Sequence, residues 1–188
     1  MDNIQILAVD KAYTPDRWLT SKEAFGLISR GLVQASLGET AMVLRGGTNA
    51  RTGKQSIMEL GSILVIDTKD WVVNDFNHAP LDSDLLFARD KHVCAYCGGV
   101  FKKHILTMDH VKPASSGGAT SWTNLVTACG GCNQRKANRT PQKAGMELLY
   151  VPYRPNRFEW LILSNRHVLA DQMEFLMAHL PRNSRLVA

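Results

Sequence analysis

The spacing of apolar side chains divides the first 85 residues into short strands and one helix. Apolar runs of strand length occupy residues 4–9, 32–37, 40–44 and 62–66. Residues 21–28 instead place apolar side chains on one helical stripe, with Thr20 or Ser21 as the N-cap and Gly31 as the stop signal. Turn signals fall at residues 14–15, 46–47 and 52–53. We therefore expect a small α/β region over residues 1–85.

The rest of the chain mixes polar stretches with further periodic segments. A helix is expected from Asn133 until the Thr140 and Pro141 stop signal. The other elements that we predict are a polar linker at 75–84, a strand at 105–111, a strand at 158–163 and an amphipathic helix at 166–180. Together these patterns predict three parts: residues 1–85, residues 86–148, and a C-terminal strand and helix over residues 149–188.

Composition places the chain among ordinary globular proteins. Its 188 residues are 45% hydrophobic and 21% charged. The sequence starts without a basic stretch that leads into a long apolar run, and it contains no apolar run of the roughly 20 residues that span a bilayer. We expect a soluble cytoplasmic protein that does not associate with a membrane.

The positive charge of the chain is concentrated in one segment. Residues 89–148 contain nine Lys or Arg and three Asp or Glu, a local charge of +6, whereas the rest of the chain sums to −1. A local basic field of this kind suits a polyanion such as nucleic acid. A solvated basic surface without a partner explains the charge equally well.

The four cysteines fall into two pairs, Cys94 with Cys97 and Cys129 with Cys132. A two-residue spacer lets both thiolates of a pair bind one tetrahedral metal, and two pairs complete a closed zinc site. Disulfides are disfavoured in a chain without an export signal, and a thioredoxin-like redox site would not need the second pair. The spacing therefore predicts a structural zinc ion held by all four cysteines.

The 31 residues between the pairs exceed the usual 15–20 of a simple four-cysteine module, so something else is built there. Asp109 is a hard oxygen ligand suited to Mg²⁺ or Mn²⁺, and His110 can act as a base near pH 7. Neighbouring residues on a strand face opposite sides, so one can bind metal while the other faces water. Asn133 could supply a second ligand, and Asn124 is placed to brace the loop after His110.

These residues resemble the HNH endonuclease family, also called ββα-metal nucleases. The similarity covers about 60 residues, from 89 to 148, and extends to stand-alone bacterial or phage HNH proteins. The positions that carry it are Asp109, His110, Pro113, Gly117, Gly118, Asn124, Leu125, Val126, Cys129, Cys132, Asn133 and Lys136. The fold that the resemblance implies is α+β: a ββα-metal HNH module stapled by a four-cysteine zinc site, with a small N-terminal α/β region and a C-terminal helix.

The resemblance also implies a role for each site residue. His110 would be the general base, Asn124 would orient it, and Asp109 would bind the catalytic metal. Asn133 stands where other members carry histidine and would be the second ligand. Ala137 replaces a further histidine found in some members, which leaves more water on the metal and favours Mg²⁺ or Mn²⁺.

The function expected from these features is metal-dependent hydrolysis of DNA phosphodiester bonds, as a nick or a double-strand break. Arg89, Lys136 and Arg139 are candidate phosphate contacts, although solvated surface charges explain them equally well. Double-stranded DNA is the expected partner, and a homodimer is one route to cutting both strands. Two alternatives stay open: a non-catalytic zinc module that binds nucleic acid, and a zinc-stabilised protein-interaction domain.

Overall fold

The computed structural model describes residues 4–67, 80–182 and 184–186, and these residues form six α-helices and two β-sheets. The predicted α+β class is confirmed. The chain divides into two compact units, Met1–Asp75 with Ser164–Ala188, and Phe76–Leu163. Within the described ranges, no helix is both long and apolar enough to cross a bilayer.

The first unit is built on a four-stranded sheet with strand order β2-β1-β4-β3. Strand β1 runs antiparallel to β2 and parallel to β4, and β3 and β4 form a long antiparallel hairpin. The strands are β1 (Ile6–Val9), β2 (Pro15–Leu19), β3 (Val33–Thr48) and β4 (Gln55–Ile66). The helices of this unit are α1 (Ser21–Ser29) and α6 (Ala170–Met177).

Helix α1 starts at Thr20 because a capping box satisfies its first turn. The Glu23 N–H donates to Thr20 Oγ1 at 3.3 Å, and Glu23 Oε2 accepts from the Thr20 N–H at 2.8 Å. The Thr20 N–H and hydroxyl hold the pKa of Glu23 below its usual value. The buried stripe of the helix packs on the sheet in a core that comprises Ile6, Ala8, Leu19, Ala24, Leu27, Leu60, Leu64 and Ile66.

Helix α6 is tied to the sheet by two polar side chains at its start. Gln172 Nε2 donates to the carbonyl oxygens of Gln5 at 2.9 Å and Ser62 at 2.8 Å. Asp171 Oδ2 accepts from the Ser62 hydroxyl and from the Glu39 N–H. These bonds fix the C-terminal helix on the sheet of its own unit.

The second unit contains the cysteines and the predicted nuclease motif. A two-stranded antiparallel hairpin, β5 (Leu106–His110) and β6 (Leu125–Cys129), leads directly into helix α3 (Gly130–Lys136). This order is the ββα arrangement expected from the sequence. The other helices of this unit are α2 (Ser83–Arg89), α4 (Pro141–Ala144) and α5 (Arg157–Ser164), the last of which ends at the boundary between the units.

Several elements differ from the sequence prediction. Residues 158–163 lie in helix α5 rather than a strand, and the C-terminal helix covers Ala170–Met177 rather than residues 166–180. The pair Gly46 and Gly47 lies inside strand β3 and does not form a turn. Pro15 opens strand β2, for which only a turn was predicted.

The domain boundaries drawn from the sequence also differ from the units of the structure. A boundary between residues 85 and 86 would cut helix α2, and the predicted extension 149–188 is divided between the two units. Of the predicted linker 75–84, residues 75–79 lie outside the described residues, and Ser83 and Asp84 belong to helix α2.

Candidate active site

The four cysteine thiols meet at one point of the second unit. Cys94 and Cys97 lie in a tight turn after α2, Cys129 ends β6, and Cys132 lies on the first turn of α3. Their sulfur atoms all lie within 4.8 Å of one another. In a tetrahedral zinc–thiolate site, sulfur atoms about 2.3 Å from the metal are about 3.8 Å apart. The four sulfurs therefore fit a zinc ion with little adjustment.

The surroundings of the cluster favour a thiolate at Cys94. Burial alone raises the pKa of the Cys94 thiol, but backbone N–H groups of Cys129, Cys97 and Tyr96 outweigh it and bring the pKa to about 7. Burial raises the pKa of Cys132 to about 12, together with its bond to Cys129 and the charge on Cys94. This difference is expected of four crowded thiols that a single cation would neutralise together.

The predicted base, His110, ends strand β5 and is half-buried. Its Nε2 lies 3.0 Å from Thr120 Oγ1. When Nε2 carries the ring hydrogen, it donates to this hydroxyl and Nδ1 keeps the lone pair. Thr120 thus favours the tautomer in which Nδ1 can take up a proton.

Asn124 holds the loop that follows His110. Its Oδ1 accepts from the Lys112 N–H at 2.8 Å, and its Nδ2 donates to the carbonyl oxygens of Lys112 at 3.1 Å and Ala119 at 2.8 Å. The Val111 N–H donates to the Asn124 carbonyl oxygen at 2.8 Å. These bonds close both ends of the loop on one amide, as a bracing residue should.

The two glycines of this loop are required by its backbone. Gly117 has a φ of 77°, in the left-handed region. A Cβ on Gly118 would lie 1.8 Å from the Lys112 carbonyl oxygen. The Gly118 N–H also donates to the Pro113 carbonyl oxygen at 3.0 Å, so the loop folds tightly back on itself.

The carboxylate of Asp109 is buried and has a bond on each oxygen. Its Oδ1 accepts from Lys136 Nζ at 2.9 Å, and its Oδ2 accepts from the Tyr96 hydroxyl at 2.5 Å. Asp109 is 5% exposed and Lys136 is 1% exposed. Burial and the bond to Asp109 raise the pKa of Tyr96 above its usual value, so Tyr96 remains a donor.

This arrangement differs from the open metal ligand expected of Asp109. A divalent cation on Oδ1 would meet the Lys136 ammonium at the same oxygen, and like charges repel strongly in a buried site. As placed, Asp109 therefore does not fit a bound divalent metal. It connects strand β5 to the first cysteine turn through Tyr96 and to helix α3 through Lys136.

Asn133 lies on helix α3 above the same strand. Its Nδ2 donates to Thr107 Oγ1 at 2.9 Å, and that hydroxyl donates to the Ala128 carbonyl oxygen at 3.1 Å. The amide is half-buried. Thr107, which the sequence analysis did not select, thus orients Asn133 and joins it to both strands of the hairpin.

Arg89 must be corrected from a nucleic-acid contact to a buried structural residue. Its guanidinium is 0% exposed and forms a two-bond ion pair with Asp90 at 2.9 and 3.0 Å. It also donates to the carbonyl oxygens of Trp122, Tyr153 and Leu125, at 2.7, 2.7 and 2.9 Å respectively. A guanidinium bonded in this way does not face phosphate.

The other two predicted phosphate contacts divide. Lys136 is buried against Asp109, so as placed it does not present its ammonium to nucleic acid. Arg139 is exposed, although its guanidinium folds back on helix α3 and donates to the carbonyl oxygens of Lys136 at 3.2 Å and Arg135 at 2.5 Å. Of the three, Arg139 alone keeps an exposed charge.

A cation that sequence reasoning missed lies near His110. Arg154 is exposed and lines a cavity of about 480 Å³ with Thr120, Ser121 and Thr123. Thr120 is the residue that contacts His110. Arg154 lies outside the segment with the motif, and no spacing in the sequence connects it to the histidine.

Comparison with known protein families agrees with this geometry. Residues 94–149 match a family described as HNH endonuclease. The chain carries an HNH endonuclease domain. The match begins at the first zinc-type cysteine and ends after helix α4, so it covers the ββα element and both cysteine pairs. No curated protein matches the chain.

Proposed function

We propose that this HNH protein is a metal-dependent endonuclease that hydrolyses phosphodiester bonds of DNA. The observation that carries the proposal is the setting of His110. A histidine at the end of a ββα hairpin has one ring nitrogen held by a hydroxyl and a following loop braced by Asn124. Such support is expected of a general base that must hold its position during proton transfer.

In the proposed reaction, His110 Nδ1 accepts a proton from water as the water oxygen attacks phosphorus. A new P–O bond forms, and the bond from phosphorus to one ester oxygen breaks. Thr120 keeps the ring in the required tautomer by accepting from Nε2–H. Asn124 keeps the loop from shifting the ring away from the phosphate.

The divalent metal is the part of the proposal that the present side-chain positions do not accommodate at Asp109. The chemistry that such a metal supplies is charge neutralisation at the phosphate. The amide of Asn133 and the carboxylate of Asp109 are the oxygen donors that the family resemblance assigns to it. Asp109 could serve only after Lys136 Nζ leaves Oδ1, which is 2.9 Å away.

The exposed cations near the histidine are the proposed phosphate contacts. Arg154 opens into the cavity that Thr120 lines, and Arg139 lies at the end of helix α3. A phosphate that approaches His110 from this cavity would meet the Arg154 guanidinium together with the hydroxyls of Ser121 and Thr123. Arginine suits this role because it binds phosphate oxygens in pairs.

The nuclease proposal is tested with supercoiled plasmid, Mg²⁺ or Mn²⁺, and the wild-type chain beside His110→Ala and an EDTA control. Nicked or linear plasmid only with wild type and metal would support the proposal. A wild-type chain that shifts the plasmid on a gel, but cuts neither it nor a panel of modified duplexes, would favour the non-catalytic binding module. Arg154→Ala tests the phosphate contact, for which we expect a raised KM with little change in kcat.

A further inference from the structure

Strands β3 and β4 extend well beyond the sheet of the first unit. Strand β1 pairs with β4 only from Ile63 to Val65, whereas the pairing of β3 with β4 continues to Thr48 and Gln55. All fifteen residues from Arg45 to Glu59 are exposed. We call residues 45–59 the β3–β4 arm. Strands rise about 3.3 Å per residue, so the arm projects by roughly 20 Å.

The arm is an ordered ribbon closed by a structured tip. Asn49 Oδ1 accepts from the N–H groups of Arg51 at 2.9 Å and Thr52 at 3.1 Å, and the Asn49 N–H donates to the Lys54 carbonyl oxygen at 2.9 Å. Across the ribbon, Gln55 Nε2 donates to the Gly46 carbonyl oxygen at 3.1 Å. A ribbon ordered before binding loses less conformational entropy when it meets a partner.

The charge of the arm has one sign over most of its length. It carries Arg45, Arg51 and Lys54, and no acidic residue occurs between Glu39 and Glu59. The rest of the chain outside residues 89–148 sums to a negative charge, so this local excess is a property of the arm and not of the first unit as a whole. Three exposed cations on a narrow ribbon favour a polyanionic partner.

The register places one of these cations on the face away from the core. Met42 pairs with the buried Leu60, so Leu44 and Met58, two residues further on, lie on the same face. Arg45, which pairs with Ile57, therefore lies on the opposite face. The outer face of the arm thus combines a cation with an exposed apolar side chain.

We propose that the β3–β4 arm is a DNA-binding ribbon that lies in the major groove and contacts phosphates through Arg45, Arg51 and Lys54. The proposal rests on the proposed function, because it takes duplex DNA as the partner. The major groove is about 12 Å wide and admits a two-stranded β-ribbon. A second copy of the chain fits less well, since a symmetric contact between two arms would bring the same cations together.

The test compares the full chain with a triple variant, Arg45→Ala, Arg51→Ala and Lys54→Ala. The matched control removes three cations from elsewhere in the same unit: Lys11→Ala, Lys22→Ala and Arg30→Ala. Affinity for a 30-base-pair duplex is measured in EDTA from 50 to 300 mM NaCl, so that no cleavage occurs. The arm variant should bind roughly 10- to 100-fold more weakly, and its salt slope should fall by about 2–3 relative to wild type.

A second variant, Arg51→Glu with Lys54→Glu, should weaken binding further, because it places acids at the exposed tip. Wild-type affinity and slope in the arm variants, or an equal loss in the control, would overturn the proposal. So would a change in molecular mass by light scattering without a change in affinity, which would make the arm a self-contact. A wild-type chain that binds duplex through the arm but never cuts would overturn the nuclease proposal and leave the arm standing.

Discussion

Lys136 Nζ lies 2.9 Å from Asp109 Oδ1, and both side chains are almost completely buried. The pair joins the strand that ends in His110 to the helix that carries Asn133 and Cys132. Tyr96 completes the arrangement by donating to the other oxygen of Asp109. The sequence motif contains both charged residues, but it does not show that they neutralise each other.

Removing the lysine should therefore destabilise the second unit. In Lys136→Met, the Asp109 carboxylate stays buried without its cation, which typically costs about 3–5 kcal/mol of the free energy of unfolding. Urea unfolding at pH 7 measures the loss. Arg135→Met is the control, because this exposed neighbour on the same helix should cost less than about 0.5 kcal/mol. Equal stability of the two variants would contradict the buried pair.

Arg89→Met should also act on stability and not on phosphate binding. The substitution leaves the Asp90 carboxylate and three carbonyl oxygens without their donor, so we expect a loss of about 3–5 kcal/mol. Lys102→Met removes an exposed cation from the same unit and is the control. A stable Arg89→Met protein whose DNA-binding salt slope falls by about one would instead place Arg89 on a phosphate.

The cysteine cluster predicts one zinc ion per chain. Cys97→Ala should lose the ion, because three thiolates hold zinc less tightly than four, and the second unit should then unfold at a lower temperature. Elemental analysis of the purified protein measures the zinc, with Ser115→Ala as the control. A full zinc content in Cys97→Ala would show that this thiol is not a ligand.

Asp171 predicts a defined pH dependence for the first unit. Burial raises the pKa of Asp171, but bonds from the Ser62 hydroxyl and the Glu39 and Gln172 N–H groups outweigh it and lower the pKa below its usual value. A lowered pKa stabilises the fold above the unfolded-state pKa, and this contribution is lost as the pH falls through the folded-state pKa.

At pH 7, Asp171→Asn should therefore lower the free energy of unfolding by about 1–3 kcal/mol. The difference from wild type should shrink once the pH drops below the usual aspartate range. Thermal unfolding between pH 7 and pH 3 measures it, with the exposed Glu174→Gln on the same helix as the control. A difference that is independent of pH would contradict the charged form of Asp171.

Local patterns predicted the parts of the fold that depend on neighbours in sequence. The cysteine spacing and the strand before His110 are patterns of this kind. Helix α5 could also have been found, because Asn156 Oδ1 accepts from the Glu159 N–H and Glu159 Oε2 accepts from the Asn156 N–H, each at 2.9 Å. The apolar run favoured a strand, and this capping signal was overlooked.

The errors concern partners that are distant in sequence. Arg89 meets Tyr153, and Lys136 meets Asp109 27 residues away, so their burial follows from tertiary packing and not from local composition. Likewise, Gly46 and Gly47 signal a turn, but the cross-strand pairing around them keeps them within β3. The β3–β4 arm was hidden by the same misplaced turn.

The most direct test of the nuclease account is the single-turnover rate of duplex cleavage by wild type and His110→Ala with equal zinc content. General base catalysis is worth roughly 10²- to 10⁴-fold, so the account predicts a loss of at least about 100-fold with duplex affinity unchanged. Cleavage by His110→Ala at the wild-type rate would contradict it, because the proton would then have to pass to another group.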